Sequence, residues 1–397
     1  MNVGAMMGSL SIKNLVSFSD LPEQDLELIL DTAGQMAEAI GFGGKSEASP
    51  AQPLDRILGA AFFEPSTRTR LSFESAMLRL GGQTLGFAEA KSSSAAKGES
   101  VADTVQIMSA YCDIIVMRHP LAGAAKVAAA AAGVPFINGG DGPREHPTQT
   151  LTDLFCIRRE CGTLSGLKVG LCGDLKYGRT VHSLAPVMAR MGCEIVCIAP
   201  ELLRMPERYL AEVEAISGSR PSETESLDEA IADLDVLYMT RIQRERFDNE
   251  EEYQQVAGVY VLTPELMAGA QEGMRVLHPL PRVGEILPAV DADSRAAYFR
   301  QAAGGVPVRM ALIALLLELP QFQPSVKGIG LGKPARGTIS EEVIEPKSEP
   351  SVVSVTGPCR NEKCITNSDD EPVAAEFIET LDGRIICAYC EQEYEEN

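Results

Sequence analysis

The sequence has no tryptophan, and aromatic residues make up only 5% of its 397 positions. It is also poor in positive charge, because 35 lysines and arginines face 56 aspartates and glutamates, for a formal net charge of −21. A protein that binds nucleic acid or anionic membranes broadly needs a cationic surface, so this balance argues against both functions. Any phosphate-bearing ligand must therefore bind in a local basic pocket.

Long apolar runs and targeting signals are also missing. The longest apolar candidate, residues 311–317, falls well short of the roughly 20 residues that cross a bilayer. Near the start of the chain, the lone Lys13 does not lead into an apolar stretch, which argues against a secretory signal. We therefore expect a cytoplasmic, reducing location. In that compartment the cysteines of the body are predicted to be free thiols. They are Cys112, Cys156, Cys161, Cys172, Cys193 and Cys197.

Short apolar runs of strand length alternate with segments of helical periodicity along most of the chain. Residues 56–63, 114–117 and 134–138 read as strands of a first series, separated by helical segments. A second series begins at 167–172 and ends with an apolar helix around 309–319. This alternation predicts parallel sheets with crossover helices. The predicted fold class is α/β, with two doubly wound halves that meet near residue 150.

The composition changes near the end of the chain. Residues 321–350 are rich in proline, glycine and charge, which is typical of a linker. The segment 340–397 holds 15 acidic and 4 basic residues, so its net charge of −11 is about half of the total. We therefore predict four parts: a first domain at 15–150, a second at 151–320, the linker, and a small separate module at 351–397.

The run Ser66-Thr67-Arg68-Thr69-Arg70 follows a buried strand and begins a helix. Hydroxyl groups and unpaired backbone N–H groups at a helix N-terminus form a pocket for a phosphate dianion. The guanidinium group of Arg68 can add charge-assisted hydrogen bonds. The alternative is an ordinary helix cap with solvated arginines, because Ser and Thr are common at such positions. Taken alone, this run does not decide between the two.

Four further polar clusters also follow predicted strands. Arg118 comes after 114–117, His146 after a glycine-rich loop, Arg179 after 167–172, and Arg241 after 236–239. The segment His278-Pro-Leu-Pro-Arg follows one more strand. Open α/β sheets build their ligand sites at the carboxyl ends of strands. We therefore expect these groups from both halves to converge on a single anion-binding cleft.

With these clusters in this order, the chain resembles the catalytic chain of the aspartate carbamoyltransferase family over roughly residues 15–320. The resemblance implies a carbamoyl phosphate-binding first domain, an aspartate-binding second domain, and transfer of the carbamoyl group to aspartate, a step of pyrimidine biosynthesis. The motifs that carry it are Ser-Thr-Arg-Thr-Arg (66–70), Met-Arg-His-Pro (117–120), His-Pro-Thr-Gln (146–149), Asp-Leu-Lys-Tyr-Gly-Arg-Thr-Val-His (174–182), Thr-Arg-x-Gln (240–243) and His-Pro-Leu-Pro-Arg (278–282).

By this resemblance the hydroxyls and guanidinium of the first motif hold the phosphate of carbamoyl phosphate. The catalytic group would be Thr69, Arg118 and His146, which polarise the carbonyl, with His146 acting as a hydrogen-bond donor. Acyl transfer of this kind needs neither a metal nor a covalent intermediate if the reactants are well positioned. The full implied carbamoyl phosphate set is Ser66, Thr67, Arg68, Thr69, Arg118, His146, Gln149, Leu280, Pro281, Ser93 and Lys97.

Aspartate carries two carboxylates, and arginine binds carboxylates in a bidentate manner. The resemblance assigns these to Arg179 and Arg241, with help from Gln243. The alternative for either arginine is a salt bridge between domains.

The loop 91–99 is small and polar. In the family, a corresponding loop enters the active site of the neighbouring subunit and supplies a serine and a lysine, placed here at Ser93 and Lys97; Lys97 would also reach aspartate. The resemblance thus implies a trimer with shared sites, and the alternative is a surface loop.

Two other functions remain as alternatives. Ornithine-type relatives share the phosphate motif, but they have a Ser-Met-Gly signature that is missing here, and arginines suit a dicarboxylate better than a cationic substrate. A binding-only relative of the enzyme is expected to lose some of the charged groups, yet all are present. The remaining histidines, His119, His182 and His278, are interpreted as structural, and the bond between Leu280 and Pro281 is a candidate for the cis form.

The C-terminal module contains four cysteines in two pairs, Cys359-x4-Cys364 and Cys387-x2-Cys390. Paired cysteines at this spacing in a reducing compartment indicate a structural zinc site with four thiolate ligands rather than disulfides. Nucleic-acid binding, common among zinc ribbons, is disfavoured by the acidic composition. The module resembles the zinc domain of the aspartate carbamoyltransferase regulatory chain, without that chain's nucleotide-binding half. This implies a part that braces contacts between catalytic trimers.

Overall fold

The computed structural model describes residues 9–42, 54–244, 247, 249–319, 352–353, 355, 357–380 and 383–394. The predicted linker at 321–350 lies outside these residues. The chain divides into two compact units. The first contains the described residues within 1–25, 50–145 and 313–397, and the second those within 26–49 and 146–312. The four predicted domain limits therefore stay predictions, although this division also falls close to residue 150.

The first unit is built on a sheet of four parallel strands in the order β2-β1-β3-β4. The two central strands of this sheet are mostly apolar and buried, as expected for a parallel sheet covered on both faces. The strands are β1 Ile57–Phe62, β2 Gln83–Phe87, β3 Ile114–His119 and β4 Phe136–Asp141. The helices of this unit are α2 Thr67–Arg79, α3 Val101–Ser109 and α4 Ala124–Ala131. Helix α1 Glu23–Ala39 precedes the sheet in the chain, and most of it belongs to the second unit.

The second unit contains a sheet of five parallel strands in the order β7-β6-β5-β8-β9. The strands are β5 Lys168–Cys172, β6 Glu194–Ile198, β7 Ser222–Thr224, β8 Val236–Met239 and β9 Arg275–Leu277. The helices are α5 Pro147–Cys161, α6 Arg179–Arg190, α7 Glu207–Ser217, α8 Leu227–Ala230, α9 Glu250–Val256, α10 Pro264–Gly269 and α11 Tyr298–Leu316.

Each parallel sheet has one point where the strand order reverses. In the first sheet the chain leaves β1 for β2 on one side and later returns to β3 on the other side. In the second sheet the same reversal lies between β5 and β8. Loops that leave the carboxyl ends of two such strands diverge and leave a crevice, which is where open α/β sheets bind ligands.

A small antiparallel sheet forms the core of the C-terminal module. It consists of β10 Val352–Val353, β11 Phe377–Glu379 and β12 Ile385–Cys387. Phe377 is buried and packs edge-on against the ring of Tyr394, with 5.1 Å between the ring centroids. The predicted fold class, two doubly wound parallel-sheet domains with a small C-terminal module, is confirmed. Among the described residues, no helix is long and apolar enough to cross a membrane.

Several elements were not predicted from the sequence, among them helices α3 and α7 and the short strand β7. Two other differences, at β2 and α11, have a clear physical reason. Strand β2 was not predicted, because it is a half-exposed edge strand that contains Gly86. A Cβ at Gly86 would lie 2.1 Å from the carbonyl oxygen of Ala60, so only glycine fits there. Helix α11 begins at Tyr298, well before the predicted residue 309. Its first half contains Pro307 and two glycines, which lower helix propensity. This half is helical because one of its faces is buried, as at Tyr298 and Gln301.

Candidate functional site

The run Ser66–Thr69 lies at the carboxyl end of β1 and opens helix α2, as predicted. Ser66 is the N-cap residue, in an extended conformation, and its side chain makes no capping hydrogen bond. The first turn of α2 contains no acidic residue, and Thr69 is buried while Thr67 and Arg68 are exposed. This helix start therefore offers backbone N–H groups, hydroxyls and a positive dipole end to an anion.

Arg118 lies on the neighbouring strand β3, directly beside the end of β1. Phe62 of β1 is in register with Arg118, and Phe63 N donates to Arg118 O at 2.9 Å. Partial burial lowers the pKa of Arg68, and the nearby charge of Arg118 lowers it further. Two like charges held close together at a strand-order reversal favour an anion between them.

The side chain of Arg118 is held by two oxygen groups of the first unit. Glu64 Oε2 lies 3.0 Å from Arg118 Nη2, and Arg118 Nη1 donates to Gly139 O at 3.4 Å. Glu64 follows β1 within the same loop as the phosphate motif, and sequence reasoning did not single it out. The ion pair orients the guanidinium group.

In the second unit, His146 and Gln149 lie at the start of helix α5. His146 is buried and is the N-cap residue, and its Nδ1 lies 3.3 Å from Thr148 Oγ1. Arg309 Nη2 donates to the same Thr148 hydroxyl at 3.3 Å. Gln149 Nε2 donates to the buried Asp153 at 2.7 Å, one helical turn further along α5.

Arg179 and Arg241 follow the two strands, β5 and β8, between which the second sheet reverses its order. Arg179 begins α6, and Arg241 comes two residues after β8. Thr240 joins the two loops, because its hydroxyl accepts from Asp174 N at 2.8 Å and donates to Cys172 O at 3.0 Å. The two arginines and the half-buried Gln243 are thus brought to one edge of this sheet.

The segment 278–282 follows β9 in a constrained turn. The peptide bond between Leu280 and Pro281 is cis, as expected, and Leu280 has a φ of 57°. His278 holds the turn with both ring nitrogens: Nδ1 accepts from Leu280 N at 2.7 Å, and Nε2 lies 2.6 Å from Glu285 Oε1. Burial acts to raise the pKa of Glu285, but hydrogen bonds from His278 and three backbone N–H groups lower it to about 2.

The two remaining histidines have structural surroundings. His119 is buried, accepts from Leu121 N at 3.1 Å and packs against Phe63, and burial lowers its pKa to about 4. His182 lies 2.7 Å from Leu175 O and stacks on Tyr209, and burial also lowers its pKa to about 4. With these lowered pKa values, both rings are neutral near pH 7. The six cysteines of the body are free thiols, and burial raises the pKa of each.

Ser93 and Lys97 lie in a surface loop that contains two short 3₁₀ turns, Ala90–Ser92 and Ser94–Lys97. The Ser93 hydroxyl donates to Ala90 O at 2.9 Å and accepts from Ala95 N at 3.3 Å. Lys97 is exposed to solvent. The loop therefore has a defined local structure, and it presents the side chain of Lys97 to solvent near its end.

The four cysteines of the C-terminal module form a single cluster. All are buried, and their sulfur atoms lie within 4.8 Å of one another. The Cys359–Cys390 and Cys364–Cys387 sulfur distances are 3.4 and 3.9 Å, too long for a disulfide. Four thiolates around zinc, with bonds of about 2.3 Å, would stand about 3.8 Å apart at the corners of a tetrahedron. The cluster therefore has the donor set and spacing of a structural metal site.

The module packs on the first α/β unit through named backbone and ionic contacts. Ile365 N donates to Ala122 O at 2.9 Å, and Ala122 N donates to Lys363 O at 2.9 Å. Glu391, which directly follows the ligand Cys390, lies 2.7 Å from Arg144 Nη2. These contacts link the cysteine cluster to the segment that leads into His146. Sequence reasoning missed Glu391 and Arg144, because charges so distant along the chain give no local signal.

Protein-family models match almost the whole described chain. The model "Aspartate/ornithine carbamoyltransferase, carbamoyl-P binding domain" matches residues 13–159, and "Aspartate/ornithine carbamoyltransferase, Asp/Orn binding domain" matches residues 165–316. The model "Aspartate carbamoyltransferase regulatory chain, metal binding domain" matches residues 352–397. The C-terminal module is therefore a metal-binding domain, in agreement with its four clustered cysteines.

Individual relatives agree with these matches. The aspartate carbamoyltransferase catalytic subunit of Thermococcus kodakarensis is 51% identical over 305 residues, covering 77% of this chain and 97% of that protein. The catalytic subunit of M. jannaschii aspartate transcarbamoylase has a TM-score of 0.72 at 46% identity, covering 77% of this chain and 98% of that one. Aspartate transcarbamoylase from Trypanosoma cruzi, solved with carbamoyl phosphate and aspartate, has a TM-score of 0.70 at 37% identity, covering 79% and 98%.

Proposed function

The chain belongs to the aspartate/ornithine carbamoyltransferase family, and from this premise we propose how its residues transfer a carbamoyl group from carbamoyl phosphate to aspartate. The observation that carries the proposal is the position of the cationic groups. In both α/β units the arginines lie at, or just after, the carboxyl ends of the two strands at which the sheet reverses its order. The first unit offers a phosphate site, and the second offers two cations for a dicarboxylate.

The phosphate of carbamoyl phosphate binds at the start of α2. Ser66, Thr67 and Thr69 supply hydroxyls, and the backbone N–H groups of the first turn add further donors. Arg68 and Arg118 neutralise the dianion. Burial is the main cause of the lowered pKa of Arg68, and the bound dianion offsets the smaller effect of the Arg118 charge. These two arginines supply the local basic pocket that a phosphate-bearing ligand needs on a chain with a net charge of −21.

The carbonyl oxygen of carbamoyl phosphate needs donors as it gains negative charge. We assign this role to Thr69, Arg118 and His146. The Thr148 hydroxyl accepts from Arg309, and we propose that it directs its own proton to His146 Nδ1, 3.3 Å away. The ring proton of a neutral His146 then lies on Nε2, which can donate to the substrate.

The amine of aspartate attacks the carbonyl carbon, the bond from carbon to the phosphate oxygen breaks, and the departing phosphate accepts the amine proton. No side chain has to exchange a proton in this scheme. The two carboxylates of aspartate bind Arg179 and Arg241, with Gln243 as an additional donor. Gln149 and the backbone carbonyl oxygens of Leu280 and Pro281 accept from the carbamoyl amino group.

The exposed loop that carries Ser93 and Lys97 is proposed to act in the site of a neighbouring subunit, which requires an oligomer, a trimer by resemblance to the family. The four-cysteine cluster is proposed to hold zinc, which would stabilise the module through four thiolate bonds. A module of under 50 residues has little apolar core of its own, so metal binding contributes directly to its folding.

A direct assay tests the proposed activity. Purified protein with carbamoyl phosphate is offered L-aspartate or L-ornithine in parallel reactions, and the carbamoylated product and free phosphate are quantified. We expect product with aspartate at least about 10³-fold faster than with ornithine, because two arginines bind the dicarboxylate and repel a cation. Equal rates, or faster turnover of ornithine, would contradict the assignment.

Native mass spectrometry of the full chain tests the zinc and trimer proposals. We expect one zinc per chain and an assembly mass that is a multiple of three chains. A variant that lacks residues 351–397 serves as the comparison, and it should bind no zinc and form smaller assemblies if the module braces contacts between trimers. An unchanged assembly in that variant would rule out the bracing role, and a monomeric full-length chain would rule out shared sites.

A further inference from the structure

A buried polar network lies beneath the second-unit groups that face the substrate in the proposed function. Asp153, on α5, is fully buried at 0% exposure. Its Oδ1 accepts from Gln149 Nε2 at 2.7 Å and from Gln301 Nε2 at 2.6 Å, and its Oδ2 accepts from Tyr238 OH at 2.8 Å. Gln301, on α11, is also buried. None of these connections is needed for the chemical step itself.

The direction of each hydrogen bond follows from one backbone group. His278 N donates to Gln301 Oε1 at 2.8 Å, and a backbone N–H can only donate. The amide nitrogen of Gln301 therefore faces Asp153, whose Oδ1 must accept. Asp153 Oδ1 also orients the side-chain amide of Gln149, because it accepts from Gln149 Nε2. Gln149 Oε1 then points away from Asp153.

We propose that Asp153 and Gln301 are positioning residues that jointly orient the Gln149 amide and the His278–Pro281 segment toward the carbamoyl amino group. Gln149 Oε1 is left as an acceptor for that group. At the start of the segment, the backbone N–H of His278 is held by its hydrogen bond to Gln301 Oε1. The two acceptors come from different elements, α5 and the turn after β9, and Gln301 is the bridge between them. Without Gln301, the side-chain amide of Gln149 can rotate. Its NH₂ group would then face the carbamoyl NH₂ group, and two donors cannot form a hydrogen bond with each other.

The network also explains why a carboxylate is tolerated at so buried a position. Burial raises the pKa of Asp153 to about 7, while hydrogen bonds from Gln301, Tyr238 and Gln149 act in the opposite direction. Three donors converge on its two oxygen atoms, so the buried carboxylate is satisfied by hydrogen bonds. The orientation of the amides depends on Oδ1 alone.

The test is a Gln301→Met variant, which keeps length and apolar volume but removes both amide contacts. The inference rests on the proposed function, so wild-type carbamoylation of aspartate is measured first. For Gln301→Met we expect kcat/KM for carbamoyl phosphate to fall about 10- to 100-fold, the cost of slight misplacement of reacting groups. KM for aspartate should change less than about twofold, because the arginines are untouched.

The matched control is Tyr238→Phe, which removes a donor to the other oxygen of the same carboxylate. It should lose comparable thermal stability and keep kcat/KM within about threefold. Gln301→Asn is one methylene too short to bridge both partners, so it should repeat the loss of activity if the methionine variant does not fold. If both Gln301 variants keep wild-type kcat/KM, or if Tyr238→Phe loses activity to the same extent, the positioning role is wrong. An inactive wild type would instead refute the proposed function.

Discussion

Replacing Arg118 with methionine is expected to lower kcat by at least about 10³-fold. In the proposed mechanism Arg118 contacts both the phosphate and the carbonyl oxygen, and loss of one preorganised donor to a developing oxyanion alone costs about 10²- to 10³-fold. The loss should persist at saturating carbamoyl phosphate, because the charge that Arg118 stabilises is largest in the transition state. Steady-state product formation over a range of both substrates measures this.

The control for Arg118 is Arg56→Met in the same sheet. Arg56 precedes β1, at the opposite end from the proposed site, and pairs with Asp113 at 3.6 Å. We expect this variant to keep wild-type kcat, because a half-exposed pair contributes about 1 kcal/mol or less. The Arg118→Met protein should also remain folded, since its partner Glu64 keeps access to solvent. A folded Arg118→Met variant with more than about a tenth of wild-type kcat would exclude the catalytic role.

Replacing Arg241 with methionine is expected to raise KM for aspartate about 100-fold, with a smaller effect on kcat. The variant loses a pair of charge-assisted hydrogen bonds to one carboxylate, and such bonds contribute about 1.5–3 kcal/mol each. Protection of the protein by carbamoyl phosphate against thermal unfolding should be unchanged. The residues proposed to bind its phosphate lie in the first unit, whereas Arg241 lies in the second. Initial rates at varied aspartate, together with thermal melts, give both quantities.

Arg244→Met is the matched control for Arg241. Arg244 lies three residues further along the chain, is exposed, and pairs with Glu250 at 2.9 Å. Its removal takes the same charge from the same region, so a general electrostatic effect would appear in both variants. A selective rise in the KM of Arg241→Met supports a direct contact with aspartate. A fall in kcat with KM unchanged would argue for a different role.

Much of this arrangement could be predicted from residues that are neighbours in the chain. The apolar run at 56–63 followed by Ser66–Thr69 predicts a strand and a helix start, and the structure has β1 and α2 there. The cysteine pairs predict a tetrahedral cluster, and the four sulfur atoms lie together. These predictions succeed because hydrogen-bonding pattern, side-chain period and metal geometry act over a few residues.

Edge strand β2 and the first half of α11 escaped prediction because tertiary contacts override local preference. Edge strand β2 has too few buried positions to show alternation, and it exists because it pairs with β1. The first half of α11 contains helix-weakening residues, yet burial keeps it helical, and it carries Gln301 and Arg309 to the base of the second-unit site. Neither residue has a sequence signal that suggests a link to Gln149 or His146.

By itself, the sequence determined the fold class, the order of the ligand-bearing loops and the identity of the charged groups, because each depends on local spacing and residue chemistry. Only the tertiary structure decided which strands lie beside each reversal of strand order, which partners hold Arg118 and Gln149, and where the metal-binding module packs. The physical reason is that hydrogen bonds and ion pairs form between groups brought together by folding. Asp153 and Gln301, for example, lie 148 positions apart but only 2.6 Å from each other.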